Sequence, residues 1–112
     1  MGNGSIIRPG DGQRMTGTGV RHREANPSNT DAAHLLQVRI LPDRKGHEPG
    51  YEKKVFSEVE KRGKLRLIAS PGWRKRDRNH PPGCTLYVSL LGPGRQVKHE
   101  LSHGRYAWVQ VR

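Results

Sequence analysis

His22 and Glu24 are the two side chains whose types and spacing suit a shared chemical task. Two positions apart on a β-strand, they would point to one face. An imidazole and a carboxylate so placed can hold one metal ion or pass a proton between them. Gly17 and Gly19, just before them, allow a tight turn or a close backbone approach, and Asn26-Pro27 reads as the turn that ends the segment. A metal normally takes three or four protein ligands, so spacing alone leaves a plainer reading open. In that reading His22 faces solvent and Glu24 pairs with Arg21 or Arg23. His34 and His80 are further imidazoles that spacing cannot place.

Two other constellations compete. His99-Glu100-Leu101-Ser102-His103 has the H-E-x-x-H form of zinc proteases, which needs a helix to set both histidines on one face. Gly92-Pro93-Gly94 before it, Gly104 after it and the alternation of Val97, His99 and Leu101 favour a polar strand end and turn instead. Residues 61–66 (KRGKLR) and 73–78 (WRKRDR) are basic clusters, the second with a tryptophan available for stacking. No nucleic-acid-binding signature accompanies them, so they predict weak, non-specific electrostatic attraction.

The bulk composition narrows the classes. At 112 residues, with 31% hydrophobic and 5% aromatic residues, the chain is one ordinary domain in length with material for only a thin core. The net charge of +11 gives a positive field attractive to polyanions. Fourteen glycines and eight prolines favour short strands over long helices. The single Cys84 excludes an internal disulfide and a multi-cysteine zinc site. No apolar run is long enough for a membrane helix and the N-terminus lacks a signal-peptide pattern, so the expected location is the cytoplasm.

The elements that would position these residues read as β. A hairpin is expected in residues 1–15, with a turn at Pro9-Gly10-Asp11-Gly12, and a strand pair over 13–26. Residues 26–31 form a polar loop. Leu36, Val38 and Ile40 alternate with Gln37 and Arg39, the pattern of a half-buried strand over 33–41. Further strands are expected at 51–56, 65–69, 86–91, 97–101 and 106–111. Ser57 and Glu60 form a capping box that predicts one or two helical turns stopped at Gly63. Short strands at close spacing argue for an all-β barrel or sandwich.

Residues 4–11 (GSIIRPGD) and 14–28 (RMTGTGVRHREANPS) closely resemble the pirin family of bicupins. The similarity continues at 34–42 (HLLQVRILP), with Arg39 where a tryptophan is usual, at 49–56 (PGYEKKVF), at 65–71 (LRLIASP), at Leu86-Tyr87 and at 104–111 (GRYAWVQV). It is weakest across 73–85. The resemblance implies two tandem β-barrels and a metal, usually iron, held by an H-x-H pair, a third histidine and a glutamate. His22 and Glu24 match those last two positions. Some members resemble quercetin 2,3-dioxygenases, in which the metal binds a flavonol and a carboxylate takes its hydroxyl proton; others look like nuclear transcriptional co-regulators.

The departures shape the expectation. The H-x-H strand would lie upstream of Met1, and one small residue is missing near Thr16-Gly17. The chain therefore resembles the middle of a bicupin: residues 1–45 the second half of an N-terminal barrel, 46–64 a linking segment with a short helix, and 65–112 the first half of a C-terminal barrel. The resemblance implies a ferrous-iron protein related to quercetin 2,3-dioxygenase, impaired because half its metal ligands are missing, with His22 and Glu24 as ligands and Glu24 as the catalytic carboxylate. A flavonol-type small molecule is the implied partner, and open sheet edges predict self-association. The alternative is a basic nucleic-acid-binding or co-regulator-type protein without catalysis.

Overall fold

The computed structural model describes residues 4–17, 21–41, 46, 48–70 and 83–112. Four strands and one short helix follow in order: β1 (Asp11–Thr16), β2 (Gly50–Val55), α1 (Glu58–Lys61), β3 (Arg66–Ala69) and β4 (Leu86–Val88). They form two antiparallel two-stranded sheets, β1–β2 and β3–β4. The regular elements of the described residues are thus mostly strands with almost no helix, consistent with an all-β, cupin-like fold.

β1 is started by a turn that the sequence anticipates. Asp11 N donates to Arg8 O at 2.9 Å, and Arg8 N donates to the Asp11 carboxylate at 2.9 Å. Gly10 supplies the positive φ of 90° that this turn requires. Lys53 Nζ then reaches across from β2 to Asp11 Oδ2 at 2.8 Å and also donates to Ile6 O. The register is unbroken from Asp11↔Val55 to Thr16↔Gly50. Alternation puts Asp11, Gln13, Met15, Tyr51 and Lys53 on one face, and Gly12, Arg14, Thr16, Glu52 and Lys54 on the other. At the far end Gly17 has φ +116°, and a Cβ there would lie 2.8 Å from Pro49 Cα. The crossing of the two segments requires glycine.

Phe56 is the one buried hydrophobic side chain among the described residues. Its ring lies against Gly12, where an added Cβ would come within 3.0 Å of Cε2. Lys54 Nζ stands 5.6 Å and the Arg66 guanidinium 5.8 Å from the ring centroid. Arg66 belongs to β3, so the ring links the two sheets, and an Arg66–Glu60 ion pair at 3.1 Å adds a second tie through α1. The capping box forms as expected: Glu60 N donates to Ser57 Oγ at 3.4 Å and Ser57 N donates to Glu60 Oε2 at 3.0 Å. Beyond α1, Leu90 N donates to Lys61 O and Gly63 N donates to Leu90 O, each at 2.9 Å. β3–β4 is short and slips between Leu67 and Ala69.

Several expected strands do not form. Residues 21–26, 33–41, 97–101 and 106–111 are outside any sheet, and the strand expected at 86–91 shortens to Leu86–Val88. β1 pairs with the distant β2 rather than within a hairpin over 1–15. Alternating polarity marks a segment able to cover one face of a core, but a strand also needs a ladder partner. These segments find none among the described residues. Leu36, Val38 and Ile40 accordingly stay about half exposed, while Tyr106 and Trp108 are 96% and 90% exposed. No described helix is long and apolar enough to cross a membrane.

Candidate functional site

The structure brings His22 and Glu24 together without the strand expected to carry them. His22 Nε2 lies 3.8 Å from Glu24 Oε1, and each side chain is about one-third exposed. β1 and β2 position the carboxylate. Gln13 Nε2 donates to Glu24 Oε1 at 3.3 Å, and Tyr51 Oη donates to Gln13 Oε1 at 3.3 Å. Gln13 and Tyr51 share the ribbon face on which the pair sits.

The imidazole is positioned from the other side. Asn26 Oδ1 accepts from Ser28 N at 3.1 Å, and Asn26 Nδ2 donates to Asp31 O at 2.6 Å. Ser28 Oγ accepts from Asp31 N at 2.8 Å. These side-chain-to-backbone bonds are the turn chemistry for which Asn and Ser are suited. They fold the expected polar loop over 26–31 back on itself, and Gln37 beyond it comes within 3.3 Å of His22 Nε2. Gln37 Nε2 thus stands beside the same ring nitrogen that faces Glu24.

The donor set fits a divalent metal. With bonds of about 2.1 Å, a nitrogen and an oxygen bound to one ion stand about 3.0 Å apart at a right angle and about 3.4 Å apart at a tetrahedral angle. The observed 3.8 Å is within a small side-chain adjustment of that bite. Among the described residues, however, no group of three or more His, Cys, Asp or Glu gathers to hold an ion. His34 does not join the pair in such a group; its Nδ1 contacts the Arg112 guanidinium at 2.9 Å. His80 lies outside the described residues. The residues that sequence reasoning missed are Gln13, Gln37 and Tyr51. All three reach the pair through contacts distant in sequence, and a polar residue alternating on β1 is their only local trace.

The competing constellations are not assembled. His99 lies outside any helix and packs at a tilt against Tyr87 with ring centroids 5.1 Å apart, and Ser102 begins a turn closed by Arg105 N donating to Ser102 O at 3.1 Å. H-E-x-x-H thus lacks its helix. In the cluster 61–66, Lys61 is buried, Arg62 pairs with Glu58 at 2.8 Å and Arg66 with Glu60. The cluster 73–78 lies outside the described residues.

The chain is similar along nearly its whole length to proteins named quercetin 2,3-dioxygenase. Two such proteins, from two Escherichia coli strains, are each 38% identical over 112 residues, covering 99% of this chain and 47% of that protein. A Pasteurella multocida protein given the same name provisionally is 44% identical over 72 residues, covering 63% of this chain and 30% of its own length. These relatives support placing the chain in a cupin-like family. The chain spans about half the length of the curated relatives it matches. No family profile and no solved structure matches it.

Proposed function

We propose that this chain is a pirin-like cupin protein that binds a divalent metal, ferrous iron by its donor set, through His22 and Glu24. The 3.8 Å approach of an imidazole to a carboxylate is the observation that carries this reading. One nitrogen and one oxygen donor suit a first-row ion with open positions, and a metal so placed would polarise the hydroxyl of a bound flavonol. The relatives' name supports oxygen-dependent flavonol ring opening as the related activity. Glu24 would hold the ion and accept the flavonol hydroxyl proton, and His22, which Gln37 approaches at 3.3 Å, would be the second ligand. Gln13 keeps the carboxylate turned toward the ring.

An ion held by His22 and Glu24 alone would be bound far less tightly than at a four-ligand site, and turnover would then be low. Residues 1–45 and 65–112 correspond to the adjoining halves of two tandem barrels, and 46–64 to their link. The half-exposed Leu36, Val38 and Ile40 and the bare Trp108 support self-association as the way such faces are covered. The net charge of +11 supports only salt-sensitive attraction to polyanions. The test is oxygen-dependent loss of quercetin absorbance by the iron-loaded chain. A slow rate abolished by Glu24→Ala is expected. Robust turnover that survives Glu24→Ala would overturn the assignment.

A further inference from the structure

A line of contacts leads away from Glu24 and itself supplies no ligand to an ion. Glu24 Oε1 is 3.3 Å from Gln13 Nε2, Gln13 Oε1 is 3.3 Å from Tyr51 Oη, and Tyr51 Oη is 2.6 Å from Ser5 Oγ. Its direction is fixed by donor and acceptor capacity alone. An ionised carboxylate only accepts, so the Gln13 amide must present its nitrogen to Glu24. That leaves the amide oxygen facing Tyr51, whose hydroxyl must then donate. A phenol has one proton, so Ser5 must donate to Tyr51. Every group in the line has one role, and reversing any link would set acceptor against acceptor or donor against donor.

We infer that Gln13 and Tyr51 are positioning residues for Glu24: Tyr51 locks the Gln13 carboxamide so that its N–H, not its carbonyl, faces the carboxylate. Without the phenol the amide could rotate by half a turn and place its oxygen beside the negative charge. Ser5 completes the line by holding the phenol proton toward Gln13. Such outer partners orient a ligand and tune its basicity. The two bonds at 3.3 Å are long for their type, as in sites that tighten only when loaded. β1 and β2 set the spacing, since Met15 pairs with Tyr51 and Gln13 lies one alternation away on the same face. The role rests on the reading of Glu24 as the working carboxylate, but the line itself exists without a metal.

The experiment observes the Gln13 side-chain amide by ¹⁵N–¹H NMR in the metal-free full chain, then titrates cobalt(II). Amide protons bonded to a carboxylate are displaced downfield, so the Gln13 signal should move upfield in Glu24→Ala and partly upfield in Tyr51→Phe. Ser5→Ala should give a smaller shift in the same direction, and it reads the line even where Tyr51→Phe fails to fold. In the titration, Gln13→Leu should weaken cobalt(II) binding about tenfold, and adding Tyr51→Phe should cost nothing further. A Gln13 signal unmoved by Glu24→Ala, or moved by it but not by Tyr51→Phe or Ser5→Ala, would overturn the relay. Absence of cobalt(II) binding with the NMR shifts intact would instead strike at the metal-site reading.

Discussion

On one face of the β1–β2 ribbon, Gln13 and Tyr51 reach His22 and Glu24 through a loose line of polar contacts. On the other face, Gly12 and Lys54 receive the ring of Phe56, which Arg66 covers from the second sheet. The same six residue pairs support both. The first face has partly exposed side chains and, at Gln13, two long hydrogen bonds, each worth about 1 kcal/mol or less in net stability. The second face, although its own side chains are mostly polar, holds the one buried hydrophobic side chain among the described residues. Chemistry and cohesion are therefore separable here: changes at the site should alter what the chain binds, and changes around Phe56 should alter whether it stays folded.

The strongest way to break this comparison is Phe56→Ala. Removing the ring should cost about 3 kcal/mol or more, enough to unfold a chain with so small a core, as read by urea titration of the circular dichroism signal. Glu24→Gln should leave that titration nearly unchanged. If the two variants were equally destabilised, the faces would not be separable.

Acid should loosen the ribbon's turn and the helix cap next. Asp11 is held below its ordinary value of 3.8, first by the Lys53 hydrogen bond and then by the Arg8 amide. Glu60 is held below 4.5, first by the Ser57 backbone amide, then by its hydroxyl, with Arg66 contributing. Groups with lowered folded values stabilise fully above their unfolded values, and that contribution is lost as pH falls through the folded ones. The midpoint should therefore decline from about pH 4.5 downward, and Asp11→Asn with Glu60→Gln should flatten the decline. A midpoint independent of pH between 5 and 3 would contradict these pairings. Ser57→Ala should cost about 1 kcal/mol through the lost cap. The smallest effect belongs to Glu58→Gln, at most about 0.5 kcal/mol, because its bond to Arg62 is largely exposed to solvent.

Legibility in the sequence followed locality. The capping box of Ser57 and Glu60, the turn at Gly10 and the Asn26 loop involve residues within a few positions, and each forms as read. His22 and Glu24 were visible as a pair because they are two residues apart, although the strand meant to align them is absent. The pairing of β1 with β2 had no local signature, and neither did Gln13, Gln37 or Tyr51 as members of the site. Strands expected at 33–41 and 106–111 failed for a related reason. Alternation records which face a segment would bury, not whether a partner strand lies beside it.

Titration of the full chain with iron(II) under anaerobic conditions, followed by calorimetry, tests the metal site most directly. One weakly bound ion is predicted, lost in both His22→Ala and Glu24→Ala while the far-ultraviolet spectrum is unchanged. Binding that persists undiminished in both variants would contradict the account.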